Sequence, residues 1–340
     1  MPRRLPIYLL LDCSESMVGE PLKSVELGVN QMLSSLRKNP YALETAFISV
    51  ITFAAKAKVA QPLRELIEVR PPTLALRPGT CLGAALDLLA GSIKNDVVKT
   101  TDREKGDFRP LAFILTDGQP TDDWEKAAKK IKEIKPKLAN IYAIGCGDEV
   151  NFQILAQIAD SCVHVNELDQ DSLSKLFVWL TASVQSSIAS PDDPLSLEKI
   201  PLEKGMELVS PDRLPQLQTT NKRLFFHLKC RNTRKNYLMR YKLSPNSSIY
   251  QAEDAFPLPD DFFSDGALKA PPVDSSKFSG SVNCPYCGGP SWVMCSCGQL
   301  CCLDPPIQAG RQIVCPACER VLTLGIPGSG GDFSVGGSVG

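Results

Sequence analysis

Between residue 5 and about residue 188, short uninterrupted apolar runs alternate with longer stretches whose apolar positions recur three or four residues apart. Leu5 to Leu11, Ala46 to Phe53, Leu111 to Leu115 and Ile141 to Ile144 are bounded by turn or polar residues. That is how strands covered on both faces read. Between them, Leu22, Val25, Val29, Met32, Leu33 and Leu36 form one helical stripe, and Trp124, Ala127, Ala128, Ile131, Ile134 and Leu138 form another. The alternation predicts an α/β fold, a doubly wound and mostly parallel sheet, over residues 1–188. Lys126, Lys129, Lys130, Lys132, Lys135 and Lys137 lie opposite the second stripe with Glu125 and Glu133 among them, which reads as a solvated face rather than a basic patch.

After about Ser190 the pattern changes. "RLFFHLKCRNTRKNYLMRYKL" reads as two strands around a polar turn, with Phe226, Leu228 and Cys230 on one face and Tyr237, Met239, Tyr241 and Leu243 on one face of its partner. Residues 189–280 are therefore expected to be a small β-rich module with a Pro- and Ser-containing linker. His227 has no nucleophile beside it in sequence and is expected to be structural. Residues 281–325 form a cysteine-rich module, and the glycine-rich residues 326–340 are expected to be flexible.

Length and charge narrow the picture. A chain of 340 residues exceeds the usual single domain, and a formal net charge of −1 gives no global basic field for nucleic acid or an anionic membrane. The start, "MPRRLPIYLLLDCSES", resembles a signal peptide, but its apolar run is short and meets Asp12 without a small-residue cleavage site. No stretch approaches the roughly 18 apolar residues of a membrane helix, so a soluble protein is expected. Of the thirteen cysteines, eight crowd into residues 284–318, which suggests metal and a reducing cytoplasm.

The run "LLLDCSESM" ends a buried strand in Asp12, Ser14 and Ser16, at the strand end where ligands collect in such sheets. "RPGTCLGAAL" adds Thr80 before a helix, and "LAFILTDGQPTDDW" adds Asp117 after another strand. Hydroxyls with one or two carboxylates suit Mg²⁺ (or Mn²⁺) better than zinc, although Asp and Ser in turns also cap the segments that follow them. Together with Thr116 and Gly118, these residues resemble the metal-ion-dependent adhesion site of von Willebrand factor A domains, with no position missing. The resemblance covers roughly residues 5–188. It implies that Ser14, Ser16 and Thr80 coordinate the cation directly or through water, that Asp12 and Asp117 assist, and that one position is left for an acidic group of a protein partner. An aspartyl-phosphate enzyme would need a second Asp two residues after Asp12, and that residue is Ser14.

In the last module, Cys284-x₂-Cys287 and Cys315-x₂-Cys318 have zinc-ribbon spacing and predict one structural Zn²⁺ held by four thiolates. If Gly298 and Gln299 form a two-residue hairpin turn, Cys295, Cys297 and Cys302 share a face and Cys301 points away. Those three would then either serve a second Zn²⁺, with a fourth ligand from elsewhere, or pack. Arg311 and Arg320 are the only basic residues there, too few to indicate nucleic acid. The A domain followed by a cysteine-rich module resembles the TerY-like proteins of bacterial tellurium-resistance systems. That resemblance implies a cytoplasmic, non-catalytic adaptor, associated with a serine/threonine kinase and a metal-dependent protein phosphatase in stress or phosphorylation signalling.

Overall fold

The computed structural model describes residues 3–191, 197–210, 223–245, 247–266, 272–325, 334–336 and 338–339, and the chain divides into two units, Met1–Thr219 and Thr220–Gly340. The first unit runs β1 (Leu5–Asp12), α1 (Glu20–Leu36), α2 (Pro40–Thr45), β2 (Ala46–Phe53), β3 (Ala57–Glu65), α3 (Leu82–Asp96) and β4 (Leu111–Thr116). It continues with α4 (Trp124–Glu133), β5 (Asn140–Cys146), α5 (Phe152–Ile158), β6 (Ser161–Val165), α6 (Gln170–Ala189) and β7 (Met206–Val209). These strands form one sheet in the order β3-β2-β1-β4-β5-β6-β7, parallel except at its two edges, where β3 and β7 run antiparallel to their neighbours.

Alternation along β1 decides the layers. Ile7, Leu9 and Leu11 face a core shared with Val25, Val29 and Met32 of α1 and Leu176, Phe177 and Val184 of α6. Tyr8 and Leu10 face a second core with Leu82, Leu86 and Leu89 of α3, Ala127 and Ile131 of α4, and Phe152 of α5. Both faces are thus dry, which fixes the strand rigidly in the sheet. Close packing of α1 on α6 requires Gly28, because a Cβ there would lie 2.0 Å from the Phe177 ring.

The structure departs from the sequence pattern in several places within this unit, β6 among the strands that the pattern does not predict. The stripe assigned to α4 stops at Glu133, because Lys135 precedes Pro136 and a residue before proline is driven out of helical geometry. Ile134 and Leu138 therefore lie beyond the helix. β3 was not anticipated, since it is a polar edge strand carrying Pro62. β7 completes this sheet, so the first unit continues past the expected boundary at 188.

The second unit contains β8 (Arg223–Lys229), β9 (Asn236–Leu243), β10 (Tyr250–Pro257), β11 (Pro272–Asp274), β12 (Phe278–Ser279), β13 (Ser291–Met294) and β14 (Leu300–Leu303). It ends with β15 (Gln312–Val314), β16 (Val321–Thr323), β17 (Ser334–Gly336) and β18 (Ser338–Val339). One sheet has the order β12-β10-β9-β8-β14-β13, with β18 also pairing β8, while β11–β17 and β15–β16 are separate pairs. The expected boundary at 280 is therefore absent, since strands from both sides of it share a sheet. Phe226, Leu228 and Cys230 pack against Tyr237, Met239 and Tyr241 as their alternation predicts, and His227 lies on the other face against the rings of Phe262 and Phe263. Part of the tail expected to be flexible is paired: Ser334–Gly336 lies on β11 and Ser338–Val339 on β8. Among the described residues, no helix is long and apolar enough to cross a membrane.

Candidate metal centres

Parallel register brings the end of β1 level with that of β4, since Leu11 pairs Leu115 and Asp12 pairs Phe53 of β2. Asp12, Ser14, Ser16, Thr80 and Asp117 are each no more than 5% exposed. Asp12 Oδ1 accepts the Ser14 N–H at 2.9 Å, and its Oδ2 accepts the Thr116 hydroxyl at 2.5 Å. Ser14 Oγ and Ser16 Oγ are 2.9 Å apart, and Ser16 Oγ donates to Asp117 Oδ1 at 2.7 Å. Thr80 completes the set: a Cβ placed on Gly118 would sit 3.5 Å from Thr80 Oγ1 and 3.6 Å from Ser16 Oγ. Glycine there keeps open a cradle walled by hydroxyls. All five residues expected from the sequence thus converge from three loops.

Several residues hold that cradle in place. Glu15 is buried and its Oε2 accepts the N–H of Gly79, whose φ of 75° suits glycine and turns the chain into Thr80. Thr121 Oγ1 accepts the Thr80 N–H at 2.9 Å, while Asp122 caps the first turn of α3 through the N–H groups of Gly83 and Ala84. The backbone of Arg77 bonds the carbonyl of Cys13 at 2.9 Å, and that of Cys81 bonds Ala54 at 2.8 Å. Sequence reasoning passed over Glu15, Thr121 and Asp122, although a carboxylate within "CSES" and a second Thr-Asp pair after "TDGQP" were the available signals.

The electrostatics of the cradle suit a cation. Burial, and then the charge of Asp117, push Asp12 up to about 7. The hydrogen bonds from Ser14 and Thr116 favour the ionised form of Asp12, but burial and the neighbouring carboxylate outweigh them. A divalent ion would restore both carboxylates, and the all-oxygen donor set suits Mg²⁺ or Mn²⁺.

In the second unit the cysteines sort into two quartets, Cys230, Cys284, Cys287 and Cys302, and Cys295, Cys297, Cys315 and Cys318, with the sulfurs of each quartet within 4.8 Å of one another. Separations of 3.5 Å for Cys287–Cys302, 3.6 Å for Cys295–Cys318 and 3.8 Å for Cys297–Cys315 are too long for disulfides. They are close to the ~3.8 Å tetrahedral edge implied by Zn–S bonds of about 2.3 Å. Both quartets therefore fit zinc.

This corrects the single site expected from Cys284, Cys287, Cys315 and Cys318: its two pairs belong to different quartets. The reason is hairpin register. Cys295 N–H bonds the Gln299 carbonyl and Met294 pairs Leu300, so the turn is centred on residues 296–298 and Cys302 lies opposite Trp292, a strand's length from Cys295. The grouping of Cys295, Cys297 and Cys302 is corrected for the same reason. Cys230 was missed because it ends a strand whose alternation accounts for it as core. Cys301 does point away: its thiol faces the Val293 carbonyl and burial pushes it up to about 12, the behaviour of a packing residue.

The thiols of each quartet share charge unequally. Hydrogen bonding by the Cys297 backbone holds Cys295 down at about 6, whereas Cys297 is pushed up to about 12, burial and the sulfur neighbours outweighing the Gln299 N–H. In the other quartet burial opposes the Cys230 thiolate, but the Thr233 side chain and the N–H groups of Thr233 and Asn232 bring it down to about 7. In each quartet one thiol, Cys230 or Cys295, is thus held below the ordinary thiol range by hydrogen bonds from its own turn.

A family profile for the von Willebrand factor type A domain matches residues 7–177, and one for the TerY-C metal binding domain matches residues 222–340. The collagen alpha-1(XII) chain of Oryctolagus cuniculus is 32% identical over 116 residues, 34% of this chain and 17% of that protein, so this chain matches a small part of that relative's length. Proximal thread matrix protein 1 from the mussel byssus, in a structure with a zinc-occupied MIDAS motif, is 19% identical with a TM-score of 0.41, covering 54% of this chain and 48% of that one. A von Willebrand factor type A protein from Catenulispora acidiphila is 18% identical with a TM-score of 0.38, covering 53% and 42%.

Proposed function

Because the chain belongs to the von Willebrand factor type A family and continues into a TerY-C metal-binding domain, we propose that it is a non-catalytic, divalent-cation-dependent protein-interaction adaptor. One observation carries this reading: three loops at the ends of a rigid sheet converge hydroxyl and carboxylate oxygens on a cradle kept open by Gly118. Ser14, Ser16 and Thr80 would hold the cation with Asp12 and Asp117 balancing its charge, and the bound cation would supply a Lewis-acidic coordination position for a carboxylate. Preorganisation supports recognition, because hydrogen bonds among Asp12, Ser14, Ser16, Thr116 and Asp117 already hold the donor oxygens together.

The partner therefore presents an Asp or Glu side chain. The TerY-like composition of the chain supports a setting beside a serine/threonine kinase and a metal-dependent phosphatase, in a bacterial stress or phosphorylation response. Clustered thiols that depend on metal support a reducing cytoplasm. In the second unit the cation serves structure, with each quartet closing four thiolates around one zinc.

The test is capture of partners from extract by the full chain, with Mg²⁺ or with chelator, followed by identification of what differs. The expected outcome is a protein retained with Mg²⁺, lost with chelator and lost on Asp12→Ala. Identical capture in all three would overturn the proposal, as would turnover of a phosphorylated substrate by the purified chain with Mg²⁺ or Mn²⁺.

A further inference from the structure

Three turns of the second unit are built alike. Cys284 donates its N–H to Gly289 and accepts from the Gly288 N–H, both at 2.9 Å. Cys315 does the same with Arg320 at 2.9 Å and Glu319 at 3.0 Å, and Cys230 with Lys235 at 2.8 Å and Arg234 at 2.9 Å. In each turn the residue four past the cysteine has positive φ: 72° at Gly288, 62° at Glu319 and 57° at Arg234. Residues with a Cβ seldom adopt that conformation, so its recurrence at Glu319 and Arg234 marks a shared architecture rather than a loose loop.

In two of these turns the residue three past the first cysteine is the second ligand, Cys287 or Cys318. In the Cys230 turn it is Thr233. The correspondence extends to the hydrogen bonds. The backbone of the second and third residues after the cysteine, and the side chain of the third, bond its sulfur in both the Cys230 and the Cys284 turns. The fourth thiolate of the Cys230 quartet comes instead from Cys302 on β14, whose sulfur accepts the Arg231 N–H at 3.3 Å.

We propose that Thr233 occupies a ligand position as a hydrogen-bonding substitute, and that this transfers the fourth ligand to Cys302 so that the metal fastens β14 to β8. The proposal rests on the reading of the quartets as metal sites. A cysteine at 233 would complete the tetrahedron from two turns alone and leave β14 outside it. The junction that the metal reinforces is thin: β14 meets β8 through the pairs Leu300–Leu228 and Cys301–Lys229, and β13 is reached through β14. Arg231, next to Cys230, adds an ion pair at 2.8 Å to Asp304, just past β14. Thr233 is thus a positioning residue: its hydroxyl bonds the Cys230 sulfur while the coordination position goes to the neighbouring strand.

The experiment uses the full chain loaded with Co²⁺, whose absorption reports the number of thiolates, together with amide exchange along β14. Wild type should take up two Co²⁺ with four-thiolate spectra. No thiolate-bound Co²⁺ in wild type would end the metal reading itself, separately from the role of Thr233. Cys302→Ser should lose one of the two four-thiolate spectra. Adding Thr233→Cys should restore that spectrum, while exchange at residues 300–303 speeds up about tenfold over wild type because the metal no longer touches the strand. A double variant that stays at one four-thiolate site, or that regains the second with wild-type protection of β14, would overturn the proposal. Should Cys302→Ser fail to fold, Thr233→Cys alone decides. The loaded variant should then keep two four-thiolate spectra while exchange at residues 300–303 speeds up, and wild-type protection of those residues would count against the inference.

Discussion

The two units present their candidate cations in opposite ways. In the first, the ligands are tips on a finished scaffold, because β1 is buried on both faces and its core is complete without any contribution from Asp12, Ser14 or Ser16. In the second, Cys230, Cys284 and Cys302 are themselves members of the buried cluster, beside Leu228, Tyr237 and Met239. A site added to a core can be emptied without loss of the fold, whereas ligands that are part of the core make metal binding and folding one process.

The largest effect should follow from removing thiolates. Chelation, or Cys284→Ser, is expected to unfold the second unit with a loss on the order of 10 kcal/mol of coupled binding and folding energy, leaving the first unit's transition in place. Calorimetry showing two unchanged transitions would break the contrast. Next in size is Asp12→Ala or Asp117→Ala, which should abolish Mg²⁺ binding, read by isothermal titration, while circular dichroism stays native. Loss of fold in either variant would mean that the first site, too, is part of its core.

A smaller and more specific effect concerns pH. With the folded Asp12 at about 7 and an unfolded Asp near 3.9, the native state without cation holds a proton that the unfolded chain has released between those values. Its stability should therefore fall as pH rises from about 4 to 7, and Mg²⁺ should cancel the fall by taking the proton's place. Denaturant midpoints at pH 5 and 7.5, with and without Mg²⁺, check this. In Asp12→Asn the Mg²⁺-free slope should flatten, and an equally steep slope there would assign it elsewhere. The smallest effect should come from Glu15→Ala, which deprives the Gly79 N–H of its acceptor and loosens the Thr80 loop. A loss of about 1 kcal/mol, or roughly fivefold in Mg²⁺ affinity, is the scale of one such bond.

The same contrast governs what could be read in advance. Asp12, Ser14, Ser16, Thr80 and Asp117 were legible because each stands at the end of a periodic segment, and a doubly wound sheet sends those ends to one place. The polar edge strand β3 was not, since its residues answer to solvent and to one neighbour. Sorting eight thiols into quartets depends on the register of β13 against β14, and a shift of the turn by a residue or two reassigns Cys302. Cys230 carried a signal in the likeness of "CRNTRK" to "CPACER", but with Thr233 at the place of the second cysteine that likeness emerges only from the backbone.

The two quartets interleave along the chain, for Cys302 of one lies between Cys297 and Cys315 of the other. Among the eight quartet cysteines, the four nearest one another in sequence, Cys284, Cys287, Cys295 and Cys297, belong half to each. On a chain emerging from the ribosome, that mixed set would close around a metal ion through the shortest loops. Correct loading then waits for Cys302 and Cys315 to appear and exchange in. With the quartets as metal sites, scarce and well-buffered metal would mature this unit more faithfully than a sudden excess, which would trap chains with the wrong four thiolates engaged.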